Sequence, residues 1–167
     1  LSDLSKKYPE IPIVGIIEPA CKEAVLSSVQ DTRLGIIGTK VTVDSLVYEK
    51  TIHESNEDLP VFQKACPAFV PLIEEGIINN DIMDLTIHYY LDDFIMENRI
   101  DTLILGCTHY PLIRSRIERA FPDLKIIDPS RVIVKRISEI LKEKDLLSKG
   151  PASENRFYAS DLSTGFT

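Results

Sequence analysis

The 167-residue sequence has no tryptophan, three cysteines and seven glycines, and it is short of positive charge: 19 Lys+Arg stand against 26 Asp+Glu, a net charge of −7. Cys21, Cys66 and Cys107 are far apart and no Cys-x-x-C occurs. That excludes a disulfide framework and a cysteine-rich zinc module, and leads us to expect reduced thiols in a cytoplasmic protein. The acidic balance argues against a partner bound by bulk charge, so no nucleic acid is expected. No apolar run approaches the roughly 18 residues of a membrane span, so no membrane partner is expected either. Leu1 to Glu10 is polar and carries no signal-peptide pattern, and the opening Leu1 suggests a fragment or a processed chain. What the chain does have is apolar residues, 44% of the total. That suffices to offset chain entropy, which excludes disorder, and the length fits one core or little more.

Four short runs rich in Ile, Val and Leu recur, each closed by a turn. They are Ile11 to Ile17 before Glu18-Pro19, Arg33 to Ile37 before Gly38-Thr39, Thr102 to Leu105 before Gly106-Cys107, and Leu124 to Ile127 before Asp128-Pro129. Near-continuous apolar runs of this length suit strands buried on both faces. Helical patterns follow: Val41 to Glu54; a stripe of Leu112, Ile113, Ile117, Ala120 and Phe121 opened by Pro111; and Ile133, Ile137, Ile140 and Leu141 with Ser130 as N-cap. Asp81 to Asn98 reads as a helix with Ile82, Leu85, Tyr89 and Ile95 or Met96 facing inward. Pro60, Pro67 and Pro71 make residues 59 to 76 irregular, a strand or loop and then a short helix from about Phe69. Lys142 to Asn155 reads as a charged linker, and Arg156 to Ser160 as one more strand. The alternation predicts an α/β fold, a doubly wound, mostly parallel, flavodoxin-like sheet.

In such sheets ligands bind beyond the carboxyl ends of the strands. Two turns stand out there. In Gly106-Cys107-Thr108-His109-Tyr110-Pro111, Cys107 leaves a strand just before a helix, a place that favours a thiolate, and His109 is near enough to act on it. The bland alternative is that cysteine is among the most buried residue types and usually inert. Gly38-Thr39-Lys40-Val41-Thr42 matches neither G-x-G-x-x-G nor the Walker pattern. Its hydroxyls and backbone N–H groups suit a carboxylate or phosphate, and equally an ordinary N-cap. Cys21 and Cys66 read as packing residues, Glu74-Glu75 as a solvated helix face, and His53 and His88 as surface residues. No histidine pair has metal-ligand spacing, so no metal is expected.

The run Gly106 to Leu112 resembles the bacterial glutamate racemases, within the aspartate/glutamate racemase family. So do Ile36-Ile37-Gly38-Thr39 with Thr42, Ser45 and Tyr48; Ala65-Cys66-Pro67 with Phe69 to Glu74 and Gly76; Gly15 to Ala20; and Asp128-Pro129-Ser130. These pieces follow the family's order over essentially the whole chain. The resemblance implies an isomerase that interconverts L- and D-glutamate without a cofactor, supplying D-glutamate for peptidoglycan. It implies catalytic roles for Cys107, His109 and Glu74, with Glu74 orienting His109, and substrate binding by Thr108, Thr39 and Thr42. It also implies a homodimer for the complete protein.

The family's first part supplies an Asp-Ser-Gly turn and a Cys-Asn-Thr turn carrying an opposing cysteine, and neither occurs here. The chain is therefore expected to be a piece lacking roughly the first third of a racemase, and inactive alone. Residues 1–10 are expected to be a remnant of a first domain or a linker, 11–110 the racemase domain, and 111–167 a return segment of the partly missing first domain. The competing expectations are a non-catalytic α/β binding or regulatory module, a cysteine-based racemase for another amino acid, and a thiol hydrolase.

Overall fold

The computed structural model describes residues 1–150 and 154. Their strands are Leu34–Gly38 (β1), Val61–Ala65 (β2), Thr102–Leu105 (β3) and Lys125–Ile127 (β4). All pair in parallel, in the order β2-β1-β3-β4. Around them lie Ser2–Lys7 (α1), Ile17–Leu26 (α2), Lys40–Asp44 (α3), Val47–His53 (α4), Phe69–Glu74 (α5), Asp81–Asn98 (α6), Arg114–Ala120 (α7) and Pro129–Glu143 (α8). The doubly wound parallel α/β sheet expected from the sequence is the fold observed.

Alternation along the central strands divides the core into two layers. Ile37, Leu103 and Leu105 point toward α5, α6 and α7, where Phe69, Met83, Ile87, Leu91 and Tyr110 are buried. Leu34, Ile36, Ile104 and Ile127 point the other way, onto Cys21 and Ala24 of α2 and Tyr48 and Ile52 of α4. The chain leaves β1 outward to β2 over the second face, through α4. It leaves β3 outward to β4 over the first face, through α7. The two connections diverge between the neighbouring strands β1 and β3, and this reversal opens a crevice beyond their carboxyl ends.

Several local expectations need correcting. The run from Ile11 forms no strand: Pro12 lacks a ladder donor, and Ile17 already opens α2. The helix expected over Val41 to Glu54 is two helices, broken at Leu46 with φ 55°. Pro111 falls in a 3-10 turn, Tyr110–Ile113, and α7 begins only at Arg114. In α8 the N-cap is Asp128, whose carboxylate accepts from the Ser130 N–H at 2.9 Å, with Pro129 in the first turn. The helix Asp81–Asn98 is present, but Met83, Ile87, Leu91 and Phe94 face inward rather than Ile82, Leu85, Tyr89 and Met96. β4 pairs with β3, and α8 packs against α2. The strand expected at Arg156 to Ser160 lies outside the described residues.

Candidate active site

Two glycines let the strands β1 and β3 close up at the crevice. A Cβ on Gly106 would sit 2.7 Å from the Ile37 carbonyl oxygen, the same oxygen that accepts the Gly106 N–H at 2.7 Å. Ile37 of β1 is in register with Leu105 of β3. The next residues, Gly38 and Gly106, are therefore side by side, and Thr39 and Cys107 leave adjacent strands at the same level.

Cys107 is partly buried and stands at the wall of a cleft of about 100 Å³. Thr108, Pro111, Tyr48, Pro129 and Ser130 share that wall. The chain after Cys107 turns sharply, with the Tyr110 N–H donating to the Cys107 carbonyl at 3.1 Å. Tyr110 then fixes the turn. It is wholly buried, its hydroxyl donates to the Cys66 carbonyl at 3.0 Å, and its ring meets Phe69 edge-on at 5.3 Å. Those contacts tie the turn to the start of α5. The result is that His109 faces the end of that helix, where Glu74 is.

The three side chains form a line. His109 Nε2 is 3.2 Å from Glu74 Oε1, and His109 Nδ1 is 3.9 Å from Cys107 Sγ. A carboxylate at Nε2 holds the imidazole proton there, which leaves the Nδ1 lone pair toward the sulfur. In that tautomer the ring accepts the thiol proton; once charged on both nitrogens, it donates to the thiolate. The arrangement can shuttle a proton at one sulfur on the rim of a cleft.

Thr39 and Thr42 form a cluster of their own at the end of β1. Thr39 caps α3, its Oγ1 accepting from the Thr42 N–H at 3.3 Å, and the two hydroxyls are 3.0 Å apart. Thr108 is exposed beside Cys107. The structure thus brings Cys107, His109 and Glu74 together, puts Thr108 in the same cleft, and leaves Thr39 and Thr42 partly buried on the adjoining strand end. Tyr48, Pro129 and Ser130 have no site role in the sequence analysis, where Ser130 is only an expected N-cap. The signal for the last two was present, since they follow a strand end.

The other thiols are not available for proton transfer. Cys21 and Cys66 are buried, and burial pushes both up to about 12, with Glu18 adding to the effect at Cys21 and Lys64 opposing it at Cys66. The Tyr48 phenol, at the cleft wall, is also pushed to about 12, by burial first and then by the Cys21 and Cys107 sulfurs. Burial likewise raises the Tyr110 phenol, so it stays a neutral donor. His53 is held by the Leu59 carbonyl at 3.1 Å and His88 by Asp92 at 2.8 Å. Among the described residues no three His, Cys, Asp or Glu side chains are placed to hold a metal ion, and no helix is long and apolar enough to cross a membrane.

The family model described as Asp/Glu/Hydantoin racemase matches residues 1–137. A glutamate racemase of Sulfurihydrogenibium sp. is 44% identical over 138 residues, which are 83% of this chain and 52% of that protein. One from Persephonella marina is 43% identical over 157 residues, 94% of this chain and 58% of that one. The solved structure of Francisella tularensis glutamate racemase in complex with D-glutamate superposes with a TM-score of 0.87 at 32% identity, covering 99% of this chain and 60% of that chain. The chain thus spans a little over half the length of the curated relatives it matches.

Proposed function

The chain belongs to the Asp/Glu/Hydantoin racemase family, and from that premise we propose that it forms one side of a glutamate racemase site, with Cys107 as the proton-transferring group on one face of the substrate. The observation that carries this reading is the line Glu74–His109–Cys107 at the crevice between β1 and β3. An amino-acid Cα–H is a weak acid. Breaking it needs a base in contact with it and water kept away. A thiolate is weakly solvated and can be tuned near neutral pH by its surroundings, which suits the task.

In the proposed step the Cys107 thiolate takes the α-proton. The S–H bond forms as Cα–H breaks, and the electron pair stays on the substrate as a carbanion delocalised into its carboxylate. Inversion then requires a proton delivered to the opposite face, by a second group from sequence beyond these 167 residues. In the reverse direction Cys107 delivers the proton. His109 accepts or returns the thiol proton between turnovers, and Glu74 fixes its tautomer. Thr108 binds substrate polar groups beside the sulfur, and Thr39 and Thr42 hold a glutamate carboxylate. The chemistry assigned to these residues calls on no cofactor. The product would be D-glutamate for peptidoglycan, made in the cytoplasm.

The test is solvent exchange at the α-carbon. The complete protein, incubated with L-glutamate in D2O, should yield both enantiomers carrying α-deuterium. Cys107→Ser should abolish exchange starting from one enantiomer at least. Undiminished exchange from both enantiomers in that variant overturns the assignment of Cys107.

A further inference from the structure

We propose that Tyr48 is a positioning residue for Cys107, its hydroxyl donating a hydrogen bond to the Cys107 thiolate across the cleft and so holding that sulfur in its charged form. The inference deepens the reading of Cys107 as the proton-transferring group and rests on it, since a stabilised thiolate serves a reaction only there. It starts from a hydroxyl without a partner. The phenols of Tyr90 and Tyr110 are engaged: Tyr90 accepts from the Ala68 N–H at 3.4 Å, and Tyr110 donates to the Cys66 carbonyl at 3.0 Å. The Tyr48 hydroxyl makes no hydrogen bond among the described residues, although the residue is only 3% exposed. A phenol sealed in a core in that state would lose its hydration with nothing in return. Tyr48 is not sealed. Among the described residues, the buried side-chain oxygen or nitrogen left without a partner is Gln63 Oε1. The little surface that Tyr48 keeps opens on the cleft lined by Cys107, and its hydroxyl looks into that cleft.

The backbone puts the hydroxyl beside the sulfur. Tyr48 Cε2, the ring carbon next to the one bearing the hydroxyl, lies 3.3 Å from the place that a Cβ on Gly106 would take. Gly106 immediately precedes Cys107. The cleft of about 100 Å³ has room for about three waters, so groups on its wall face one another at short range. The ring is fixed as well. It packs among Cys21, Ile52 and Ile104, and the Tyr48 carbonyl accepts from the Cys21 thiol at 3.8 Å.

Electrostatics agree with the geometry. Burial first, then the Cys21 and Cys107 sulfurs, push the phenol up to about 12. It keeps its proton at neutral pH and meets a thiolate as a donor. The effect is mutual: a charge on Cys107 that holds the phenol's proton is itself favoured by that hydrogen bond. The other titratable groups facing the sulfur are His109, 3.9 Å away and tied to Glu74, and the Tyr110 phenol, whose proton is committed to Cys66. Cys21 faces Tyr48 from α2, with Glu18 near it, and burial keeps that thiol protonated up to about 12. Tyr48 is thus the phenol whose proton is left for Cys107.

The test needs no substrate, so its failure is distinguishable from failure of the glutamate reading, which solvent exchange decides. Alkylation of Cys107 by iodoacetamide is followed by mass spectrometry from about pH 5 to about pH 10, in the full chain and in Tyr48→Phe. Below the midpoint of the profile the variant should react about 3- to 10-fold more slowly, with the profile displaced to higher pH. The plateau at high pH should be equal or slightly higher, because a less stabilised thiolate is the better nucleophile. The urea midpoint should not move, since phenylalanine keeps the ring. The displacement should persist in a His109→Asn background, where no imidazole titrates beside the sulfur. Superimposable profiles overturn the inference. A rate lowered by one factor at every pH, with or without a lower urea midpoint, shows a packing role and overturns it too. So does a displacement that vanishes with His109→Asn, which assigns the effect to the imidazole.

Discussion

Replacing Gly106 by alanine tests whether the close approach of β3 to β1 is what sets Cys107 in place. The added Cβ would lie 2.7 Å from the Ile37 carbonyl oxygen, 3.3 Å from Tyr48 Cε2 and 3.4 Å from Ile36 Cγ2. The nearest atom is backbone in the middle of a parallel pair, so it cannot swing aside as a side-chain tip would. Overpacking of this kind costs about 1–3 kcal/mol. Relief by separating the strands stretches the Gly106 N–H to Ile37 bond, worth about 1 kcal/mol. Alanine's lower entropy in the unfolded chain returns about 0.4–1 kcal/mol. The net expectation is a loss of about 2 kcal/mol, read as a lower urea midpoint or a Tm lower by about 4–8 °C. Gly150 meets nothing within 4 Å, so Gly150→Ala is the control and should stay within about 0.5 kcal/mol. Cys107 is the next residue, so the same shift should change its alkylation rate. A Gly106→Ala protein with unaltered midpoint and unaltered Cys107 reactivity would refute the reasoning.

Four further outcomes follow from the structure. Glu74 is 62% exposed, so Glu74→Gln should cost under about 1 kcal/mol in denaturant, yet slow α-proton exchange in the complete protein. His109→Asn should slow it by about 100-fold or more, with the circular dichroism spectrum unchanged. The chain should lose stability steadily as pH rises from about 9 to about 12. Cys21, Cys66 and the Tyr48 phenol keep their protons to about 12 in the native state, whereas the unfolded chain releases them from 9.0 and 10.0. Stability is full below pH 9, and deprotonation then favours the unfolded state at about 1.4 kcal/mol per group and pH unit. Urea midpoints across that range check it, and a flat profile contradicts it. Asp128→Ala removes the α8 cap from a buried position and should cost about 1–2 kcal/mol in the same measurement.

The strands β1 and β3 were readable because each is a short apolar run closed by a turn and buried throughout, and β4, at an edge with Lys125 exposed, because Ile126 and Ile127 run into the Asp128-Pro129 turn. β2 was ambiguous because Gln63 and Lys64 interrupt it. It lies at the edge of the sheet, where every residue is only partly buried, and its composition reflects that. The run from Ile11 has the composition of a strand but no pairing partner, and composition cannot reveal that. In α6 two apolar faces interleave, so periodicity could establish a helix but not which face meets the sheet. Only packing against Phe69 and Ile37 decides it.

Much the same holds for the crevice. Cys107 and His109 share one turn at a strand end, so a general rule about open sheets pointed to them. Glu74 reads as an ordinary solvated residue and was singled out only through family resemblance. Its contact with His109 exists because Tyr110 is anchored to Cys66, a connection between distant parts of the chain. Tyr48 entered through the packing of its ring over Gly106, which no local pattern announces.

The most direct measurement compares alkylation of the three thiols by mass spectrometry, with and without L- or D-glutamate. Cys107 should be labelled well ahead of the two buried cysteines, and one or both enantiomers should shield it in the complete protein. Labelling at a common rate at all three positions, or a Cys107 rate that neither enantiomer changes, would contradict the placement of that sulfur in a glutamate site.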